Sequence, residues 1–269
     1  MTITNFSCTF LGTGTSAGVP VIACDCDVCT SDDPKDSRLR CSMCIRFTDE
    51  TDKERVVLID ASPDLRQQIL RENICRCDAI LFTHNHVDHT FGLDDVRLFN
   101  VSMQKPIAIY AERHTLDHLA RVFQHVFEKH KNVNDSFVAN LVPNEISVSE
   151  PITLYGVTFT PIRLLHGRLP IVGFVIESSN NQKLAYCTDV SSIPPETWPY
   201  LEGLDTLVLD MLRFRHHPTH LNLDQAIEIA EQVKAKQTWF THMTHCIGHA
   251  EVDATLPAHV GLAYDGLRI

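Results

Sequence analysis

Short apolar runs recur along the chain, at Phe6–Leu11, Cys41–Phe47, Arg55–Asp60, Ala79–Phe82, Pro106–Tyr110, Ile162–Leu165, Ile171–Glu177, Lys183–Cys187, Leu207–Asp210 and Gln237–Phe240. Each is too short for a typical globular helix and is bounded by Gly, Pro or polar clusters, so each reads as a strand. The second and third runs pair across the charged turn Thr48–Lys53, and the Ser178–Asn181 turn separates two later ones. Helical spacing falls between the runs. Ser62-Pro63 carries start signals for a helix to about Glu72, with Leu65, Ile69 and Leu70 on one face. Gly92–Arg97 opens a second helical stretch, whose Asp94 and Asp95 read as dipole partners. Arg113–His130 reads as a third helix, and Asn222–Lys234 as a fourth with Leu223, Ala226, Ile227 and Ala230 together. Asn132–Asn134 reads as a loop, and Pro143-Asn144 and Gly156 as breaks between strands. Strands alternate with helices, without repeat, low-complexity tract or linker. The expectation is a layered α/β protein with one domain over residues 1–269.

The chemistry sits where apolar runs end. Ala79–Phe82 leads into His84-Asn85-His86-Val87-Asp88-His89. In extended chain, residues two apart point the same way, so His84 and His86 face one point. A turn brings Asp88 and His89 to a second point nearby. These donors suit zinc, manganese or iron. All four around one ion would block it, so the cluster calls for two ions, which hold and activate a water between them. Three later runs end the same way, in His166, Asp189 and His242. Strand ends are where sites assemble in layered α/β proteins.

Composition narrows the class. Of 269 residues 44% are hydrophobic, enough for a sizeable core. A net charge of −11 argues against broad nucleic-acid binding, which relies on Lys and Arg at phosphates. No apolar run is long enough to span a membrane, and Met1–Phe10 lacks the features of a signal peptide. Ten cysteines without an export signal are expected as thiols or metal ligands in the reducing cytoplasm.

Cys24, Cys26 and Cys29 lie in a polar loop with zinc-ligand spacing, but a tetrahedral site needs a fourth ligand that the loop does not supply. Cys41, Cys44, Cys75 and Cys77 read as small residues packed like apolar groups. The loop Gly12–Gly18 either cradles a phosphate or allows a tight turn. His114, His118, His125 and His130 share no stripe and read as surface residues.

The stretch His84–His89 resembles the signature of the metallo-β-lactamase-fold hydrolases. That resemblance implies a four-layer αββα sandwich. It also implies that His84, His86 and His166 hold one divalent ion, that Asp88, His89 and His242 hold another, and that Asp189 bridges the two, the ions being Mn²⁺ or Zn²⁺. The opening Leu11-Gly12-Thr13-Gly14, then Gly18-Val19-Pro20, then the cysteine loop, is similar to the PhnP-type phosphodiesterases, which open cyclic phosphates of ribose. From that resemblance His245 is the fourth ligand of a structural Zn²⁺ with Cys24, Cys26 and Cys29, and His220 meets the substrate phosphate. Asp88 and His220 are then the catalytic pair, with a small phosphodiester as substrate and a homodimer as assembly. Pyrroloquinoline-quinone accessory proteins share a similar cysteine loop. A tRNA-processing arm has no room in the short gap from His166 to Asp189, and the helical domain of glyoxalase-type thioesterases has none after His242.

Overall fold

The computed structural model describes residues 3–134, 137–180 and 182–269. Six strands form a first sheet in sequence order: β1 (Thr4–Gly12), β2 (Ser42–Thr48), β3 (Glu54–Ile59), β4 (Ala79–Leu81), β5 (Ile107–Ala111) and β6 (Leu141–Glu145). The first three pair antiparallel and β3 to β6 run parallel. Seven strands form a second sheet: β7 (Ile152–Leu154), β8 (Val157–His166), β9 (Leu169–Glu177), β10 (Lys183–Cys187), β11 (Thr206–Asp210), β12 (Gln237–Thr241) and β13 (Val260–Leu262). It is antiparallel from β7 to β10 and parallel from β10 to β13.

Helices cover the outer faces. α1 (Leu65–Arg71), α2 (Val87–Thr90), α3 (Arg97–Met103), α4 (Arg113–Val122) and α5 (Gln124–Phe127) belong to the first half, and α6 (Leu223–Val233) and α7 (His249–Asp253) to the second. Three apolar layers result. Val57 and Ile59 of β3 point inward against Phe159, Phe174 and Tyr186 of the second sheet. Val56 and Leu58, one residue out of phase, point outward to Leu65, Phe99 and Leu119 of the helices. The second sheet does the same: Val208 faces inward, while Leu207 and Leu209 meet Ala226 and Ala230 of α6. With both faces of the central strands buried, their runs are apolar throughout. Helix, sheet, sheet, helix is the expected αββα sandwich.

Local chemistry sets the ends of α6. The Asn222 side chain accepts from the Gln225 N–H while Gln225 accepts from the Asn222 N–H, and Lys234 ends the helix in left-handed backbone. Elsewhere the structure departs from expectation. α1 begins at Leu65 because the Ser62 hydroxyl turns to the Asp64 N–H and to Gln68, and Leu70 is 60% exposed, off the face shared by Leu65 and Ile69. The helix expected over Arg113–His130 breaks at Phe123, whose ring is drawn into the core beside Phe91. Pro143-Asn144 lies within β6, an edge strand, where a missing N–H is tolerated. Cys75 is exposed, whereas Cys41, Cys44 and Cys77 are buried. The last residue of the expected Ser178–Asn181 turn lies outside the described residues. No helix is long and apolar enough to cross a membrane among the described residues.

The Gly12–Gly18 loop serves packing, not anion binding. The amides of Thr13, Gly14 and Thr15 are taken by Asp265, Leu39 and Met243. A Cβ on Gly12 would stand 2.0 Å from the Arg40 carbonyl oxygen, so only glycine allows that approach.

Candidate metal centre

The strand ends of both sheets converge on one edge. Asp60 follows β3, His84 and His86 follow β4, His166 ends β8, Asp189 follows β10, Asp210 ends β11 and His242 follows β12. Asp60, Asp189 and His242 each hold left-handed backbone, with φ of 63°, 58° and 65°. That conformation costs a non-glycine residue roughly 1–2 kcal/mol. It turns the chain so that these side chains aim inward.

Two donor groups meet at Asp189. In the first, Asp88, His89, Asp189 and His242 present one ligand atom each within 4.8 Å of one another. His89 Nε2 lies 3.2 Å from Asp189 and 3.4 Å from Asp88, and His242 Nε2 lies 3.4 Å from Asp189. In the second, His84 and His86 share Asp189. His166 shares Asp189 too, but its donor groups with His220, and its ring stands 5.1 Å from that of His86. Six of the seven residues expected as ligands therefore surround the carboxylate of the seventh, Asp189, with His220 beside them. His114, His125 and His130 are exposed. His118 is half-buried and pairs with Arg121.

The imidazoles are held from behind. His89 Nδ1 donates to Asp60 at 2.7 Å, and His166 Nδ1 to the Thr219 carbonyl at 2.7 Å. His84 Nδ1 donates to the Thr83 hydroxyl, which donates to Asp60. Asp210 lies 3.1 Å from His220 Nδ1 and 3.5 Å from His242 Nδ1. Each Nε2 is thereby left facing the centre, as metal ligation requires. The Nε2 atoms of His84, His89 and His242 are buried without a hydrogen-bond partner. Buried polar atoms are ordinarily paired. Orphaned nitrogens around two carboxylates are a donor set that fits divalent cations.

Electrostatics agree. Burial opposes charge on His89, yet Asp189, Asp88 and Asp60 outweigh it and hold that imidazole well above its usual 6.5. His242 is raised likewise, against burial, by Asp189, Asp210 and Asp88. His84, dominated by burial and facing His89, is pushed well below 6.5. Asp189 is buried, but His242 and His89 keep it well below the usual carboxylate range. A field that stabilises imidazolium this strongly also favours a metal cation.

Cys24, Cys26 and Cys29 converge on His245. Their sulfurs lie 3.2, 3.4 and 3.5 Å from its Nδ1. The backbone N–H of Cys29 draws the Cys26 thiol down to about 7, toward the thiolate that binds metal, while burial pushes the Cys29 thiol up to about 11. His245 is presented by a segment that Arg38 pins: the fully buried guanidinium donates to the carbonyls of Thr244 and Ile247 and pairs with Asp36. Sequence reasoning missed Asp60, Asp210 and Arg38. The two carboxylates ended apolar runs, the same signal that marked Asp189; Arg38 gave none.

Residues 55–243 match the Beta-lactamase superfamily domain. The chain belongs to that superfamily. It has the metallo-β-lactamase fold. It is similar to a crystallised diphosphatase from the PhnP family, at 41% identity and a TM-score of 0.88, covering 99% of this chain and 97% of that one. It is 37% identical over 263 residues to an octanoyltransferase of Porphyromonas gingivalis, covering 97% of this chain and 51% of that protein. The chain thus spans about half the length of that relative. A coenzyme PQQ synthesis protein B of Methylobacterium nodulans is 27% identical over 231 residues, covering 74% of this chain and 71% of that protein.

Proposed function

We propose that the protein is a phosphodiesterase that hydrolyses a small diester of phosphoric acid, a cyclic ribose phosphate being the simplest example. One observation carries this reading. His220, oriented by the buried Asp210, stands with its ring 4.5 Å from that of His166 and 4.8 Å from that of His242. A proton donor thus adjoins the donor groups for metal. His220 also borders a pocket of about 460 Å³ whose walls include Arg168, Ser191 and His217 and no carboxylate. That size suits a small molecule, and the lining suits an anionic one. The similarity to a PhnP-family diphosphatase supports phosphorus chemistry.

His84, His86, His166 and Asp189 would hold one divalent ion, and Asp88, His89, His242 and Asp189 the other. Bound there, the ions supply Lewis-acid charge for the phosphoryl oxygens and activate a water for attack. With the ions held by these side chains, Asp189 and Asp88 would help to position the attacking water, which would remove much of its entropic barrier. Asp210 holds His220 by Nδ1, so Nε2 carries the proton to the departing oxygen. Arg168 offers its charge to the part of the substrate that leaves. β8 and β9 are joined by the tight turn at Gly167-Arg168, so no arm for tRNA extends there.

A second reading, cleavage of a P–O–P link, is favoured by the diphosphatase similarity. A screen of purified protein against cyclic nucleotides, cyclic ribose phosphates, dinucleoside diphosphates, a thioester and precursor tRNA, with Mn²⁺ and Zn²⁺ varied, separates them. Turnover of a cyclic or alkyl diester well above that of the others is expected. Turnover of the diphosphate alone would establish the second reading, and of the thioester or tRNA alone would exclude both.

A further inference from the structure

A second pocket, of about 580 Å³, opens at the other end of the first sheet. Arg46, Lys53, Arg55, Arg76 and Lys105 line it, and Glu54 is the one carboxylate in its walls. This is a cationic pocket in a chain whose net charge is −11. It lies where β3 begins, whereas the metal centre lies where β3 ends. Six residues of strand put roughly 20 Å between the two.

While Arg46 pairs with the exposed Glu54 at 3.2 Å, the other two guanidiniums, those of Arg55 and Arg76, are fixed in place. Asp49 and Asp78, with side chains only 5% and 6% exposed, sit beneath them. Arg55 Nε donates to Asp49 at 2.6 Å and its Nη1 to Asp78 at 3.1 Å, while its plane covers the Tyr155 ring. Arg76 donates to Asp78 through Nε and Nη2 at 2.9 and 2.6 Å. Those bonds leave Nη2 of Arg55 and Nη1 of Arg76 without a protein partner among the described residues. Lys53 and Lys105 are exposed, and their amines have no partner among the described residues. Five cations against Glu54, Asp49 and Asp78 leave a charge of +2, carried at the mouth.

We propose that this pocket is a second ligand site, separate from the metal centre, for a small polyanion with two or more phosphate groups, such as a polyphosphate or a nucleoside triphosphate. Pre-oriented guanidinium forks match phosphate oxygens, and their acidic supports remove the entropy that binding would otherwise cost. The lysines serve as mobile point charges for a further phosphate. The site is an open, localised pocket and not an extended stripe, and a chain with a net charge of −11 repels a long nucleic acid. The inference does not depend on which bond the metal centre cleaves.

Calorimetric titration with inorganic tripolyphosphate at about 50 mM salt tests it on three proteins: the parent, Asp189→Ala and Lys53→Ala/Lys105→Ala. Saturable binding that survives Asp189→Ala within about twofold is expected, with at least a tenfold loss in the lysine variant and a further loss in Lys53→Glu/Lys105→Glu. Both lysines are exposed, so the variants should melt with the parent and keep its turnover of a diester. Binding should weaken as salt screens the pocket. The proposal is overturned if no saturable binding occurs, if the lysine variants bind like the parent, or if Asp189→Ala abolishes binding while the lysine variants retain it.

Discussion

Replacing Asp60 by alanine should weaken both the fold and the metal centre, although Asp60 is not itself among the expected ligands. Its carboxylate is fully buried and accepts from the Thr83 N–H at 2.8 Å, the Thr83 hydroxyl at 2.9 Å and His89 Nδ1 at 2.7 Å. Alanine strands three buried donors, the Thr83 amide, the Thr83 hydroxyl and His89 Nδ1. At about 1–3 kcal/mol for each unsatisfied group, the loss is about 3–9 kcal/mol. Alanine also tolerates the left-handed backbone at this position less well than aspartate does. In a chain of this size 1 kcal/mol shifts the melting temperature by about 2–4 °C, so a fall on the order of 10 °C is expected. Removing the group that orients a ligating histidine typically costs 10–100-fold in metal affinity. Thermal melts of metal-loaded protein and competition against a chromophoric chelator measure the two effects. A variant within 1 °C of the parent and with parental metal affinity would refute the reasoning that Asp60 holds His89 in place.

Other consequences are separable. His220→Ala should bind metal normally and lose about 10²–10⁴-fold on an alkyl diester, but proportionately less on a nitrophenyl diester whose leaving group needs no proton; equal losses on both would remove the general-acid role. Cys26→Ser should lose one zinc per chain and melt lower, since structural zinc contributes directly to folding; a full zinc count at the parental melting temperature would exclude the site. The Thr51 hydroxyl, Arg55 and the amides of Thr51 and Lys53 together hold the Asp49 carboxylate well below its usual 3.8 despite burial. Its stabilisation is therefore complete above that value and is lost as pH falls below it. Asp49→Asn should be less stable than the parent at pH 7, with the gap held down to about pH 4 and narrowing progressively below it; a gap that stayed constant from about pH 4 to about pH 2 would contradict the assignment.

The strands were legible because both faces of the central ones are buried, which leaves unbroken apolar runs such as Val56–Ile59. The candidate ligands were legible because they end those runs: His84, His166, Asp189 and His242 all do. What failed depends on neighbours far away in sequence. Pro143 reads as a break because nothing local reveals that β6 is an edge strand. Phe123 ends α4 because its ring is pulled toward Phe91, which a helical pattern does not encode. Asp60 and Asp210 carried the strand-end signal, but their partners come from other strands, so their supporting roles emerge only in three dimensions. The grouping of His166 with His220, and the pinning of the His245 segment by Arg38, belong to the same class.

The most direct test of the central claim is a titration of activity against metal. Protein stripped of its active-site ions, with the structural zinc retained, is titrated with Mn²⁺ or Zn²⁺ while hydrolysis of a cyclic ribose phosphate is followed. Negligible turnover without added ion is expected, rising to a plateau at two equivalents per chain, with the plateau abolished in Asp189→Ala. Turnover undiminished in excess chelator, or two bound ions with no hydrolysis of any phosphodiester, would contradict it.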